Sequence, residues 1–167
     1  MPVNAMPLTI GEILAKLAAA KNKAERVTIL KENESAPLKH FLRLAYDPNI
    51  KMDIPEGRPP FTPNPKPVGF GDTTLKTVLG PKSGFYIFFK KSTPNYRQTK
   101  RELNFILLLE QLDSQEAEYL LAAKDKKLEV GLTRKVIDEV FPGLLSNEIK
   151  TSEQLSDETE TEAPSNS

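Results

Sequence analysis

This chain of 167 residues contains neither cysteine nor tryptophan. Without cysteine there is no disulfide framework, no thiol nucleophile and no thiolate metal site. His40 is the only histidine, which excludes a metal site built on several imidazoles. No run approaches about 18 consecutive apolar residues, so no segment reads as a membrane span. Near the N-terminus no cationic stretch precedes a long apolar one, so nothing there reads as a signal peptide. The chain also lacks a glycine-rich phosphate cradle, a nucleophile elbow and carboxylates at metal-binding spacing. Asp138 and Glu139 are adjacent on an expected helix and point to different sides. The expectation is a protein of a reducing, intracellular space with no catalytic constellation, no cofactor and no metal.

The composition is that of a globular chain, with 38% apolar and 28% charged residues. Its length suits one domain with a real core. Net charge is zero but unevenly spread. Residues 147–167 hold six acids and one base, a balance of −5, which leaves 22 bases against 17 acids, or +5, in residues 1–146. The acidic stretch is rich in Ser, Thr and Glu, has few apolar residues and is expected to be a disordered tail. It either competes with phosphates for the basic body or keeps the protein soluble. The domain division is then a helical body, 1–146, and a tail, 147–167.

The N-terminal third carries helical signals. Ile10, Ile13, Leu14, Leu17 and Ala18 share one helix face, and Thr9 with Glu12 is a capping-box signature. Asn22 and Glu25 repeat that signature before a helix through Val27 and Leu30. Ser35 caps a third helix with Leu38, Phe41, Leu42 and Ala45 inward, and Pro37 in its first turn. His40 reads as a boundary residue of that helix.

Seven prolines fall between positions 48 and 67, which excludes a helix interior or a central strand. Residues 48–72 form a proline-rich arm, packed on the helices by Ile50, Met52, Ile54 and Phe61. A proline-rich segment is alternatively a ligand for aromatic grooves. A short helix is expected at 74–79. Segment 82–101 then holds six bases (Lys82, Lys90, Lys91, Arg97, Lys100, Arg101), no acid, and the aromatics Phe85, Tyr86, Phe88, Phe89 and Tyr96. Cations interleaved with aromatics are a nucleic-acid footprint. The alternative is that Phe85, Ile87 and Phe89 anchor the segment in the core while the lysines stay wet; residues 85–89 are the one place where a strand pattern is possible.

The last third is helical again. Residues 101–112 read as an almost fully buried helix, and Asp113 with Glu116 as a further capping box. Gly131-Leu132-Thr133-Arg134-Lys135 then reads as a tight turn, an N-cap and two cations opening a last helix, with Val136, Ile137 and Val140 inward and Pro142-Gly143 as its stop. A helix N-terminus offers unpaired N–H groups and partial positive charge to a phosphate. With Lys21, Lys23, Lys124, Lys126 and Lys127, the residues Gly131, Thr133, Arg134 and Lys135 make the candidate nucleic-acid-binding set. The bland reading is a set of solvated charges. The fold class is all-α, an irregular bundle of about six or seven short helices with one long proline-rich excursion.

Three features in order carry a resemblance: Lys21-Asn22-Lys23 leading into Ile29-Leu30-Lys31-Glu32-Asn33; residues 38–46 ending in Leu42-Arg43-Leu44-Ala45-Tyr46; and Leu128-Glu129-Val130-Gly131-Leu132-Thr133-Arg134 through Val140-Phe141-Pro142-Gly143-Leu144-Leu145. Together they are similar to the N-terminal DNA-binding domain of ATP-dependent DNA ligases, in the compact form of T-even-like bacteriophages, over roughly residues 10–145. The whole chain also resembles small proteins of large tailed phages and cyanophages. The resemblance implies an all-helical domain that grips double-stranded DNA through the minor groove and backbone without base-specific reading, in the cytoplasm of an infected bacterial host, with the 131–135 turn matching a phosphate-contacting loop and Lys21 to Lys23 near a related helix–helix turn. The Lys-x-Asp-Gly nucleophile motif of ligases is missing, so ligation by this polypeptide is not expected. The expected function is a non-catalytic, sequence-independent DNA-binding accessory protein in replication, repair or recombination. The alternatives are a module binding a host or phage protein, and a virion component.

Overall fold

Polar side chains set where nearly every helix begins. In the computed structural model, which describes residues 7–145, Thr9 caps α1 (Ile10–Ala19) and exchanges hydrogen bonds with Glu12 in a full capping box. Asn22 caps α2 (Lys23–Glu32) and Ser35 caps α3 (Ala36–Tyr46), with Pro37 in the first turn. Thr74 caps the single-turn α4 (Leu75–Val78). Asp113 caps α6 (Ser114–Lys124) and Thr133 caps α7 (Arg134–Val140). Only α5 (Gln98–Gln111), which follows Arg97, starts without a side-chain cap. Seven α-helices and no strand lie among the described residues, so the all-α expectation holds. The expected acidic tail lies outside the described residues.

Leu14, Leu17, Leu30, Leu38, Phe41, Leu42, Phe105, Leu109 and Leu120 lie in one continuous core. Helix α6 lies among α1, α3 and α5, and α7 docks on α2. The proline-rich arm packs on this bundle through buried Met52 and Ile54 and half-buried Ile50 and Phe61, as expected.

Three local expectations change. Phe85–Phe88 is a 3₁₀ turn entered through Gly84 in the left-handed region (φ +79°), not a strand. Its aromatics pack edge-on among themselves and onto Phe105, so they serve the core. Helix α5 is not almost fully buried: Leu103 and Leu107, one turn apart, are 54% and 46% exposed.

The third change concerns Glu116. Its backbone N–H does donate to Asp113. Its carboxylate, however, does not return to the cap. It accepts the N–H of Gly11 at 3.0 Å and of Leu75 at 2.8 Å, and so joins the first turns of α1 and α4. Glu116 is fully buried, and burial pushes its carboxyl pKa up against the pull of those two donors.

Candidate nucleic-acid interface

Nine residues form the set expected from sequence, and the fold divides them between two places. Lys124, Lys126 and Lys127 lie at the end of α6 and hold the start of the proline-rich arm. Lys124 is 2% exposed and donates to the carbonyls of Pro55 (2.8 Å) and Gly57 (3.1 Å) and to the Asp125 carboxylate (2.6 Å). Lys126, at φ +59°, donates to the carbonyls of Leu44, Asp47 and Ile50, closing the C-terminal end of α3. Burial brings its pKa down to about 8, with Asp47 raising it and Lys51 lowering it. Lys127 pairs with Glu56 at 3.2 Å. The burial of Lys124 takes its ammonium away from any polyanion, whereas Lys126 is an exposed residue whose ammonium is held by backbone carbonyls of α3 and the arm.

The other six meet at a corner between the α1–α2 turn and the start of α7. Arg26 donates to the carbonyls of Leu17 (3.3 Å) and Ala20 (3.0 Å) at the end of α1. Gly131, at φ +78°, lies directly against that guanidinium. Lys23 pairs with Glu139 at 2.7 Å and so ties α2 to α7; that contact lowers the Glu139 pKa. Arg134 stands 3.9 Å from Asp138, one turn on. Thr133 already takes the N–H of Val136 at 3.3 Å, and α7 has only seven residues. Its N-terminus is thus a capped end of a two-turn helix. Lys21 and Lys135 remain exposed with no ion pair among the described residues, though the charge of Lys135 also helps to lower the Glu139 pKa. The corner brings Lys21, Lys23, Gly131, Thr133, Arg134 and Lys135 together, but Glu139 and Asp138 offset two of its four cations.

Segment 82–101 behaves differently. Lys82, Lys90, Lys91, Arg97 and Lys100 are exposed, and none has an acid partner among the described residues. Arg101 is 1% exposed and not solvated at all. Its donors are taken by the carbonyls of Ile87 (2.8 Å), Thr93 (3.2 Å) and Tyr96 (3.1 Å), by Thr93 Oγ1 (3.1 Å) and by Gln98 Oε1 (3.1 Å). All five of these acceptors are neutral. Sequence spacing carried a signal for this burial. Arg101 falls on the same helix face as Phe105, Leu108 and Leu112, all buried.

Beside Arg101 lies a groove of about 570 Å³ that sequence reading missed. One wall is residues 51–55 of the arm; the other is Lys90, Pro94, Tyr96 and Gln98. Asp53 joins the walls. Its N–H donates to the Phe88 carbonyl (2.8 Å), its carbonyl accepts from Gln98 (2.8 Å), and its carboxylate accepts the backbone N–H of Lys90. Glu102 accepts from Gln98 at 2.9 Å. Lys51 and Lys90 both line the groove, and neither has an acid partner among the described residues. Tyr96 presents a half-exposed ring, with Lys100 and Arg101 at 5.9 Å and 5.6 Å from its centroid.

Among the described residues no group of three or more His, Asp or Glu is placed to hold a metal ion. No described helix is long and apolar enough to cross a membrane. No curated protein matches the chain. A protein-family match covers residues 13–130, which takes in α1 from Ile13 onward, α2 to α6, the arm and the groove and stops just before Gly131. The chain belongs to the family of unknown function DUF6433.

Proposed function

We propose that the protein is a non-catalytic accessory protein that holds DNA through its sugar–phosphate backbone, without reading sequence. The observation that carries this reading is the run of exposed cations Lys82, Lys90, Lys91, Arg97 and Lys100, joined at the groove by Lys51, none with an acid partner among the described residues. Cations free of partners attract phosphates and release the counterions condensed on them. The buried charge of Arg101 adds to the field at the groove, where low-dielectric walls concentrate it. The corner around Lys21 and Lys135 is a second, weaker contact, because half of its cations are already neutralised. The direct test is a titration of labelled single- and double-stranded DNA at two salt concentrations. The reading expects binding at low salt that weakens steeply as salt rises. No binding of either form at low salt contradicts it.

A second reading has its own observation. Leu103 and Leu107 expose an apolar pair on α5, and Phe70 is 70% exposed. Exposed apolar side chains in register on a helix suit a protein partner. Under that reading, Leu103→Gln with Leu107→Gln abolishes capture of the partner while DNA binding is unchanged.

A further inference from the structure

The groove and the exposed cations differ in what they reach. A duplex displays phosphates on the outside of a stiff rod and keeps its bases paired within. It touches lysines at a lip but brings no base to a wall inside a cleft. An extended single strand presents both a phosphate and an unstacked base to the same cleft.

The groove carries the elements for both. Lys51 and Lys90 supply positive charge at its walls. The one carboxylate among its lining residues, Asp53, is committed to the Lys90 backbone N–H. Arg101 supplies charge with no acid partner among the described residues, and because its donors are spent it acts by field and not by contact. Pro94 and Tyr96 also line the groove, with Lys100 and Arg101 over the Tyr96 ring. The Tyr96 hydroxyl accepts from Asn104 at 2.5 Å, and the Tyr96 backbone carbonyl accepts from Arg101.

Resting on the DNA-binding reading above, we propose that this groove receives one nucleotide unit of a single strand, its phosphate between Lys51 and Lys90 and its base against Tyr96, so that the protein prefers single-stranded to double-stranded nucleic acid. Sequence tolerance follows, since every base has a face to stack.

The test compares labelled oligothymidylate with a duplex of equal length, using the full chain at low salt. Single strands are expected to bind at least about tenfold tighter, the scale of one base stacked on an aromatic ring. Tyr96→Leu should lower oligothymidylate affinity about tenfold and leave duplex affinity unchanged. A second readout does not depend on how Tyr96→Leu folds. The chain has four tyrosines and no tryptophan, so stacking on Tyr96 should quench intrinsic tyrosine fluorescence. Tyr96→Phe, which keeps the ring, should bind as the wild type does, with that quenching abolished. Equal or tighter duplex binding, or quenching unchanged in Tyr96→Phe, overturns the groove proposal and leaves the DNA-binding reading standing. Absence of binding to either form overturns both.

Discussion

The N–H of Gly11 donates to the carboxylate of Glu116 at 3.0 Å, and a Cβ at position 11 would stand 2.8 Å from Glu116 Cγ. Helix α1 approaches α6 this closely because position 11 has no side chain. Gly11→Ala gains helix propensity but forces the two helices apart. Overpacking of this kind costs about 1–3 kcal/mol, so the variant should unfold at lower urea than wild type.

The same carboxylate gives a pH signature. Burial holds the folded pKa of Glu116 above the ordinary value of 4.5, so between these two values the folded state binds more protons than the unfolded chain. Its contribution to stability is fully present below the ordinary carboxylate value and is lost as pH rises through the raised one. Glu116→Gln removes this titration. Its amide can accept one N–H but points a donor at the other, at a cost of about 1–3 kcal/mol. Thermal melts across this range should show the advantage of wild type over Glu116→Gln shrinking as pH rises. A constant difference would mean that Glu116 does not titrate there.

Gly131 is constrained twice, by φ +78° and by the Arg26 guanidinium, whose Nε lies 2.5 Å from where a Cβ would be. Gly131→Ala should destabilise the fold by about 1–3 kcal/mol. Because Arg26 holds the end of α1, the loss should appear as faster amide exchange in the α1–α2 turn as well as at 131–135. Unchanged exchange in that turn would show that the two segments are not coupled.

Lys124 and Lys126 are assigned to fixing the proline-rich arm. Replacing either by Met leaves backbone carbonyls without their donor, at about 1–3 kcal/mol. The arm should loosen locally, and trypsin should cut after Lys51 faster than in wild type. DNA affinity should change little, whereas a large loss on Lys124→Met in a folded variant would return that residue to the interface.

The helical architecture was legible because its signals are local. Thr9, Asn22, Ser35, Asp113 and Thr133 each cap the helix expected of them, and the prolines of 48–67 mark the arm. Long-range pairing was not legible. A lysine on a loop looks the same whether water or a distant carbonyl receives it, and only the fold places Pro55 and Gly57 against Lys124. The capping signature of Asp113 and Glu116 misled for a related reason. Two helix N-termini, remote in sequence, compete for the Glu116 carboxylate and win. The groove was hidden because its walls come from residues 51–55 and 90–98, brought together by Asp53. Segment 82–101 was readable as basic and aromatic, yet its parts divide: Phe88 and Arg101 are buried and the lysines are exposed.

The most direct test of the account is the salt dependence of DNA binding by wild type and by a variant with Lys82, Lys90, Lys91 and Lys100 changed to Gln. Each phosphate that is no longer neutralised should make the log–log slope shallower by about 0.7 for a single strand and about 0.9 for a duplex. A clear flattening with weaker affinity is predicted in a variant that melts like wild type, and a smaller flattening when Lys21 and Lys135 are neutralised instead. A folded variant that keeps the wild-type slope would contradict the account.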